Sequence, residues 1–205
     1  MIINSDTAIE IFGVVSGLLY LYLEIRQRVW LWPVGLITSA VYIYVYLAAK
    51  FYADMGLQVY YLGISLYGWY HWRHGGRGQQ QAELPVSRTP AQLRPWLAAA
   101  TAGLFVLLWQ LLARCTDSPV PLGDALTTAL SITATWMLSR KLIEHWWIWV
   151  VVDAISVGLY LYKGLYPTVV LFLFYTAMAV VGYRQWLRTM QTHCNQPCPQ
   201  SNPMP

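Results

Sequence analysis

Apolar residues run through this chain in long blocks separated by short polar segments. A helix rises 1.5 Å per residue, so a bilayer core about 30 Å thick needs about 20 helical residues to cross it. Stretches near residues 7–25, 30–49, 54–72, 95–113, 121–139, 146–162 and 165–186 meet that requirement. The pattern predicts an all-α membrane protein with seven transmembrane helices. The fifth stretch is the most polar, because Thr127, Thr128, Ser131, Thr133 and Thr135 interrupt it. Hydroxyls in such a helix bond back to its own carbonyls or reach a neighbour, so this one is expected inside the bundle.

One block carries a charge where a membrane can least accommodate it. In WWIWVVVDAISVGLY, Trp146 to Tyr160, Asp153 stands in the middle of an otherwise apolar run. An ionisable group at that depth marks a functional site or a paired charge. At about 100° per residue, Trp146, Trp149, Asp153 and Tyr160 fall within roughly 60° of one another, with Ser156 beside them. Two indoles, a carboxylate and a phenol on one face suit an aromatic ligand that carries positive charge. The competing reading has the tryptophans as interfacial anchors and Asp153 as the partner of another helix.

Composition agrees with the membrane reading. Only 11% of the 205 residues are charged while 57% are hydrophobic, and a soluble domain carries about 25% charged residues. Eleven Trp and fifteen Tyr fit rings that gather at both membrane interfaces. The formal charge of +4 comes from loop arginines and gives no contiguous patch for nucleic acid. Three cysteines (Cys115, Cys194 and Cys198) make no disulfide framework. The start, MIINSDTAIEIF, lacks the basic region and cleavage site of a removable signal, so the first helix is expected to direct its own insertion.

The longest loop, residues 73–95, is basic and rich in Gly, Gln and Pro, and reads as a flexible linker. The segment after Arg188 reads as a disordered tail. Its His193, Cys194 and Cys198 match no standard zinc spacing, and neither a metal nor a cofactor is expected. With the N-terminus outside, ten Lys and Arg fall on the inner side and three (Lys50, Arg114 and Lys163) on the outer. That bias predicts an external N-terminus and a cytoplasmic C-terminus.

The halves repeat at an offset of 114 residues. Trp32 matches Trp146, Tyr46 matches Tyr160, Tyr52 matches Tyr166, Tyr61 matches Tyr175, Gly68 matches Gly182, and Trp72 matches Trp186. Four spans separate the matched helices, so the expected architecture is two parallel three-helix repeats joined by a linker helix (3+1+3), as in one class of transporter. The corresponding segments are 1–72, a loop at 73–94, a linker helix and outer loop at 95–120, 121–188, and a tail at 189–205. Where the halves differ is informative. The stripe of the sixth helix becomes Trp32, Gly35, Ser39 and Tyr46 on the second, so the carboxylate is confined to the C-terminal half. On the third helix Gln58, Tyr61, Ser65, Trp69 and Trp72 share a face, where the seventh has Phe172, Tyr175, Ala179, Tyr183 and Trp186. Gln58 can donate and accept hydrogen bonds to a carboxamide or sugar, or clamp two helices together.

Other polar residues read as structural. Asp54 and Lys50 flank an outer loop, Glu10 and Asp124 lie near helix ends, and Glu24 is one turn from Arg28 and expected to pair with it. His71, His74 and His145 read as surface residues at the inner interface. Gln110 carries no assignment. The chain has no GxSxG, no HExxH and no phosphate loop, so an enzyme is not expected and no ATP-driven machinery is encoded.

Lys50 to Trp72, followed by Arg140 to Tyr166, resembles the PnuC vitamin transporters. Their WxxWxxx[N/D] appears as Trp146, Trp149 and Asp153, their Q…YGWxxW as Gln58, Tyr67, Gly68, Trp69 and Trp72, and their GYxxW as Gly182, Tyr183 and Trp186. The match spans nearly all of residues 7–188. The resemblance implies a fold related to the SWEET sugar carriers, commonly a homotrimer. It also implies uptake of nicotinamide riboside, or of thiamine or riboflavin in related members, by facilitated diffusion across the bacterial inner membrane. A cytoplasmic kinase then traps the vitamin. Nicotinamide riboside carriers often have Asn where this chain has Asp153, which keeps thiamine in view. The substrate-binding residues expected on these grounds are Trp146, Trp149, Asp153, Gln58, Tyr61, Trp69, Ser39 and Tyr160. A membrane receptor that binds a ligand without moving it is the alternative from another class.

Overall fold

The structure is a computed structural model that describes residues 5–48, 52–75, 84–115, 120–162, 164 and 166–194. Seven helices account for most of them: α1 (Ser5–Ile25), α2 (Leu31–Ala48), α3 (Tyr52–His74), α4 (Leu93–Cys115), α5 (Pro121–Ser139), α6 (His145–Tyr162) and α7 (Tyr166–Cys194). Each falls where an apolar block predicted it. Four are long and apolar enough to cross a membrane: α2, α4, α6 and α7 as far as Thr192. In α1 the apolar run is the shorter Ile11–Ile25. Seven spans were expected. At 23 and 19 residues α3 and α5 have the length but carry more polar side chains than a lipid-facing helix tolerates.

Several of those polar groups are satisfied within the protein. In α5 the hydroxyls of Thr127, Thr133, Thr135 and Ser139 donate to carbonyls three or four residues back. Tyr60 of α3 donates to the Ile132 carbonyl at 2.8 Å, and Thr133 meets Thr101 of α4 at 2.7 Å. As the hydroxyl content predicted, α5 is an inner helix. It packs against α3, α4 and α6 and buries seven residues from Ala125 to Ser139. No residue of α4 is buried.

The corners between α1 and α2 and between α5 and α6 are built alike, 114 residues apart. Gln27 and Lys141 both take left-handed backbone angles, with φ of 54° and 51°. That conformation is uncommon for a residue with a Cβ. It lets the amide of Arg28 donate to Leu23 and that of Leu142 donate to Met137, at 2.9 and 3.0 Å. At each turn the helix-end carbonyl that accepts the amide of Gln27 or Lys141 also takes a second hydrogen bond, from an indole. Trp186 Nε1 donates to the Glu24 carbonyl at 3.0 Å, and Trp72 Nε1 to the Leu138 carbonyl at 3.2 Å. The helix neighbours recur as well. The α2–α3 packing is matched by α6–α7, α1–α2 by α5–α6, and α3–α5 by α7–α1.

Two segments differ from expectation. Residues 84–92 are anchored where the sequence suggested a flexible linker. Ser87 pairs with Leu142, its amide donating to the Lys141 carbonyl and its carbonyl accepting from Ile143, both at 3.0 Å. Glu144 then accepts from the Thr89 amide and hydroxyl at 2.9 and 2.7 Å. The last helix also continues past Arg188 to Cys194, through residues expected in the tail. Gln27 Nε2 donates to Thr189 Oγ1 at 3.2 Å, and no proline intervenes before Pro197. Lys50, Lys163 and Cys198, and the side chains of Glu10, Asp54, His193 and Cys194, lie outside the described residues.

Gly68 and Gly182 occupy matched positions under matched indoles. A Cβ on Gly68 would overlap the six-membered ring of Trp32, and one on Gly182 that of Trp146. Both indoles are essentially without exposure, so neither can step aside. Gly182→Ala and Gly68→Ala should each cost about 1–3 kcal/mol, the usual penalty for overpacking. Thermal unfolding of the purified protein in detergent measures it, and unchanged midpoints would mean that the indoles are free to shift.

Candidate ligand-binding site

A cavity of about 480 Å³ opens between α1, α3, α5, α6 and α7. The α6 stripe forms one wall: Trp146, Trp149, Asp153, Ser156 and Tyr160 all line it. The helical period thus brings together the four residues read as one face. Phe172 and Tyr175 of α7 stand opposite, with Phe172 stacked on Tyr160 at 5.2 Å between ring centres. Thr127, Thr128 and Ser131 of α5 supply hydroxyls, and Tyr61 bonds to Ser131 across the gap. From α1 come Gly17, Tyr20 and Glu24.

A second cavity of about 260 Å³ adjoins it and shares Gly17, Tyr20, Tyr61 and Trp149. Ser39, Gln58 and Ser65 line this one, with Gly35 and Thr38. The two cavities occupy equivalent places in the two halves. At the offset of 114, Gly35 corresponds to Trp149, Ser39 to Asp153, Gln58 to Phe172, and Ser65 to Ala179. One side is therefore aromatic and acidic, the other small and hydroxyl-rich. A ligand with a flat ring at one end and hydroxyls at the other fits that division.

The polar groups here are unusually short of partners. Asp153 is 5% exposed, and among the described residues its carboxylate has no hydrogen bond. The indole N–H groups of Trp146 and Trp149 are buried and likewise have no acceptor, as is that of Trp32 outside the cavities. Buried polar groups normally find partners, so such orphans call for an explanation. A ligand that brings acceptors for N–H and positive charge for the carboxylate would satisfy them. The Asp153 reading as a partner of another helix finds no support in the described contacts.

Seven of the eight expected binding residues line one cavity or the other: Trp146, Asp153 and Tyr160 the larger, Ser39 and Gln58 the smaller, Tyr61 and Trp149 both. Trp69 lines neither and packs against the hydrophobic core. Trp72 and Trp186 stand 6.2 Å apart within that core. Two structural readings need correction. Glu24 pairs with His145 instead of Arg28, its Oε1 3.1 Å from His145 Nε2. His145, expected at the surface, is fully buried. Sequence reasoning also missed Glu24 as a cavity residue, because a partner one helical turn away already accounted for it.

Residues 7–188 match the family model for nicotinamide mononucleotide transporters. The chain belongs to this family. Among its relatives is the nicotinamide riboside transporter PnuC of Escherichia coli K12, 26% identical over 88% of this chain and 85% of that one. The riboflavin/roseoflavin transporter RibM of Streptomyces davaonensis is 28% identical over 86% and 83%. The crystal structure of the vitamin B3 transporter PnuC superposes with a TM-score of 0.72 at 22% identity, covering 93% of this chain and 85% of that one. This PnuC-type protein is thus a multi-pass bacterial membrane transporter. This chain shares the fold of that solved structure.

An unpartnered buried carboxylate is costly in the ligand-free protein. Asp153→Asn should therefore stabilise ligand-free protein by on the order of 1 kcal/mol, the stability–function trade-off expected at a binding site. The check is its unfolding midpoint in detergent. A lower midpoint would make Asp153 a structural partner.

Proposed function

We propose that this protein takes up nicotinamide riboside across the inner membrane by facilitated diffusion, a cytoplasmic kinase trapping the vitamin by phosphorylation. The observation that carries the reading is the unpartnered Asp153 carboxylate beside the unpartnered Trp149 indole in a cavity of about 480 Å³, a volume within the usual range for small-molecule sites. The cationic pyridinium would stack on Trp149 with Asp153 as counter-charge. The ribose hydroxyls would reach Gln58 and Ser39 in the adjoining cavity. Two parallel three-helix repeats with α4 as linker are supported by the matched corners and helix neighbours, and a rocking pair of repeats is a recognised route to alternating access. We further propose a homotrimer, an external N-terminus and a cytoplasmic C-terminus, the last two on the ten-to-three distribution of Lys and Arg.

Thiamine is the second reading, carried by Asp153 itself: a thiazolium and an aminopyrimidine can both use a carboxylate. Riboflavin, named for the Streptomyces relative, is uncharged and would leave Asp153 without a counter-charge.

The decisive experiment is uptake of labelled vitamin into proteoliposomes. Nicotinamide riboside should enter until inside and outside levels are equal, and should accumulate only when a kinase and ATP are enclosed. Tight binding without entry would make the protein a receptor, and accumulation without trapping would make it a coupled pump. Within the site, Trp149→Ala should weaken nicotinamide riboside binding by about 1–3 kcal/mol, the range for stacking on a single ring. Trp32→Ala should cost less, since Trp32 lines neither cavity. Equal losses would reduce both to packing.

A further inference from the structure

Beyond the α6 stripe the larger cavity has a second carboxylate, Glu24 of α1. Its surroundings fix how it is presented. His145 Nδ1 lies 2.7 Å from the Leu142 carbonyl, which can only accept, so Nδ1 carries a proton. The 3.1 Å contact between His145 Nε2 and Glu24 Oε1 must then contain a proton as well. The dyad is therefore neutral overall, as imidazolium and carboxylate or as imidazole and carboxylic acid. Glu24 lines the cavity, whereas His145 does not. In the ionic form the imidazolium stands behind and the negative end faces the cavity. Oε2 has no hydrogen-bond partner among the described residues. The position is specific to one half. At the offset of 114, Glu24 corresponds to Leu138 and His145 to Leu31, both fully buried leucines. The fold thus accommodates an apolar pair at this place, and an ionisable one is not needed to build the corner.

We propose that Glu24, held in place by His145, is a specificity-determining residue that makes the cavity prefer a cationic ring over an uncharged ring of the same shape. This rests on the vitamin-carrier reading above. Asp153 and Glu24 would flank such a ring from α6 and α1, and a cation between them favours the imidazolium–carboxylate form of the dyad. Tyr20, Tyr61, Tyr160 and Tyr175, the other ionisable groups around this space, are phenols and add no charge at neutral pH. An uncharged ring would gain nothing from the second carboxylate.

The test uses two ligands that differ mainly in charge, nicotinamide riboside and its uncharged dihydro form, titrated calorimetrically against the full-length protein in detergent. The variants are Glu24→Gln and the double variant Glu24→Leu with His145→Leu, which installs the pair already present at Leu138 and Leu31. Replacing a buried ion pair with apolar side chains is often neutral or stabilising, so the double variant keeps the test open if Glu24→Gln does not fold. The ratio of cationic to uncharged affinity should fall about tenfold in each variant, equivalent to about 1.4 kcal/mol. A ratio equal to wild type, whether both affinities drop together or neither moves, would overturn the role of Glu24 and leave the carrier reading standing. Wild-type protein that binds neither ligand would bring down the carrier reading and this proposal with it.

Discussion

Two indole N–H groups hold the halves of this molecule together. A carbonyl oxygen has two lone pairs, so one that already accepts a backbone amide can accept a second donor from within the protein. At the turns after α1 and α5 the carbonyls of Glu24 and Leu138 accept the amides of Gln27 and Lys141, and each takes a second donor besides. Each second donor comes from the opposite half of the chain: Trp186 serves Glu24 and Trp72 serves Leu138. Much else follows from that crossing. The indoles must lie deep in the core, where Trp32, Trp72, Trp146 and Trp186 form a contiguous cluster. Glycine is needed at positions 68 and 182 so that α3 and α7 can approach the rings of Trp32 and Trp146. The cluster in turn sits beside the larger cavity, with Trp146 belonging to both.

The site inherits its asymmetry from the same plan. Equivalent positions in the two halves look into adjoining spaces, so a single substitution changes one side only. Ser39 and Asp153 are the clearest case, followed by Gly35 and Trp149. A symmetric frame with asymmetric lining can hold an asymmetric ligand and still have two related ends through which to admit and release it.

Much of this was legible in the sequence because large aromatic side chains and glycine tolerate few replacements. The identities at Trp32, Gly68 and Trp72, repeated at Trp146, Gly182 and Trp186, disclose the offset before any coordinates. The α6 stripe was legible because helical period alone decides which of its residues share a face. The Glu24–His145 contact was not, since 121 residues separate the partners and Arg28 offered a plausible local one. Nor was the pairing of Ser87 with Leu142, which depends on backbone groups that every residue has. Trp69 shows the limit of the face argument, because a helix can turn one edge of a stripe toward the core and the other toward a cavity.

The crossed indole bonds also impose an order on biosynthesis. Trp72 leaves the ribosome long before its acceptor, 66 residues further along, and Trp186 is made 162 residues after the carbonyl it serves. The Trp72 indole N–H therefore has its acceptor only once α5 is made, and the Glu24 carbonyl its second donor only once α7 is made. Closure comes with α7. Until that last helix arrives, the second of the two crossed bonds stays open.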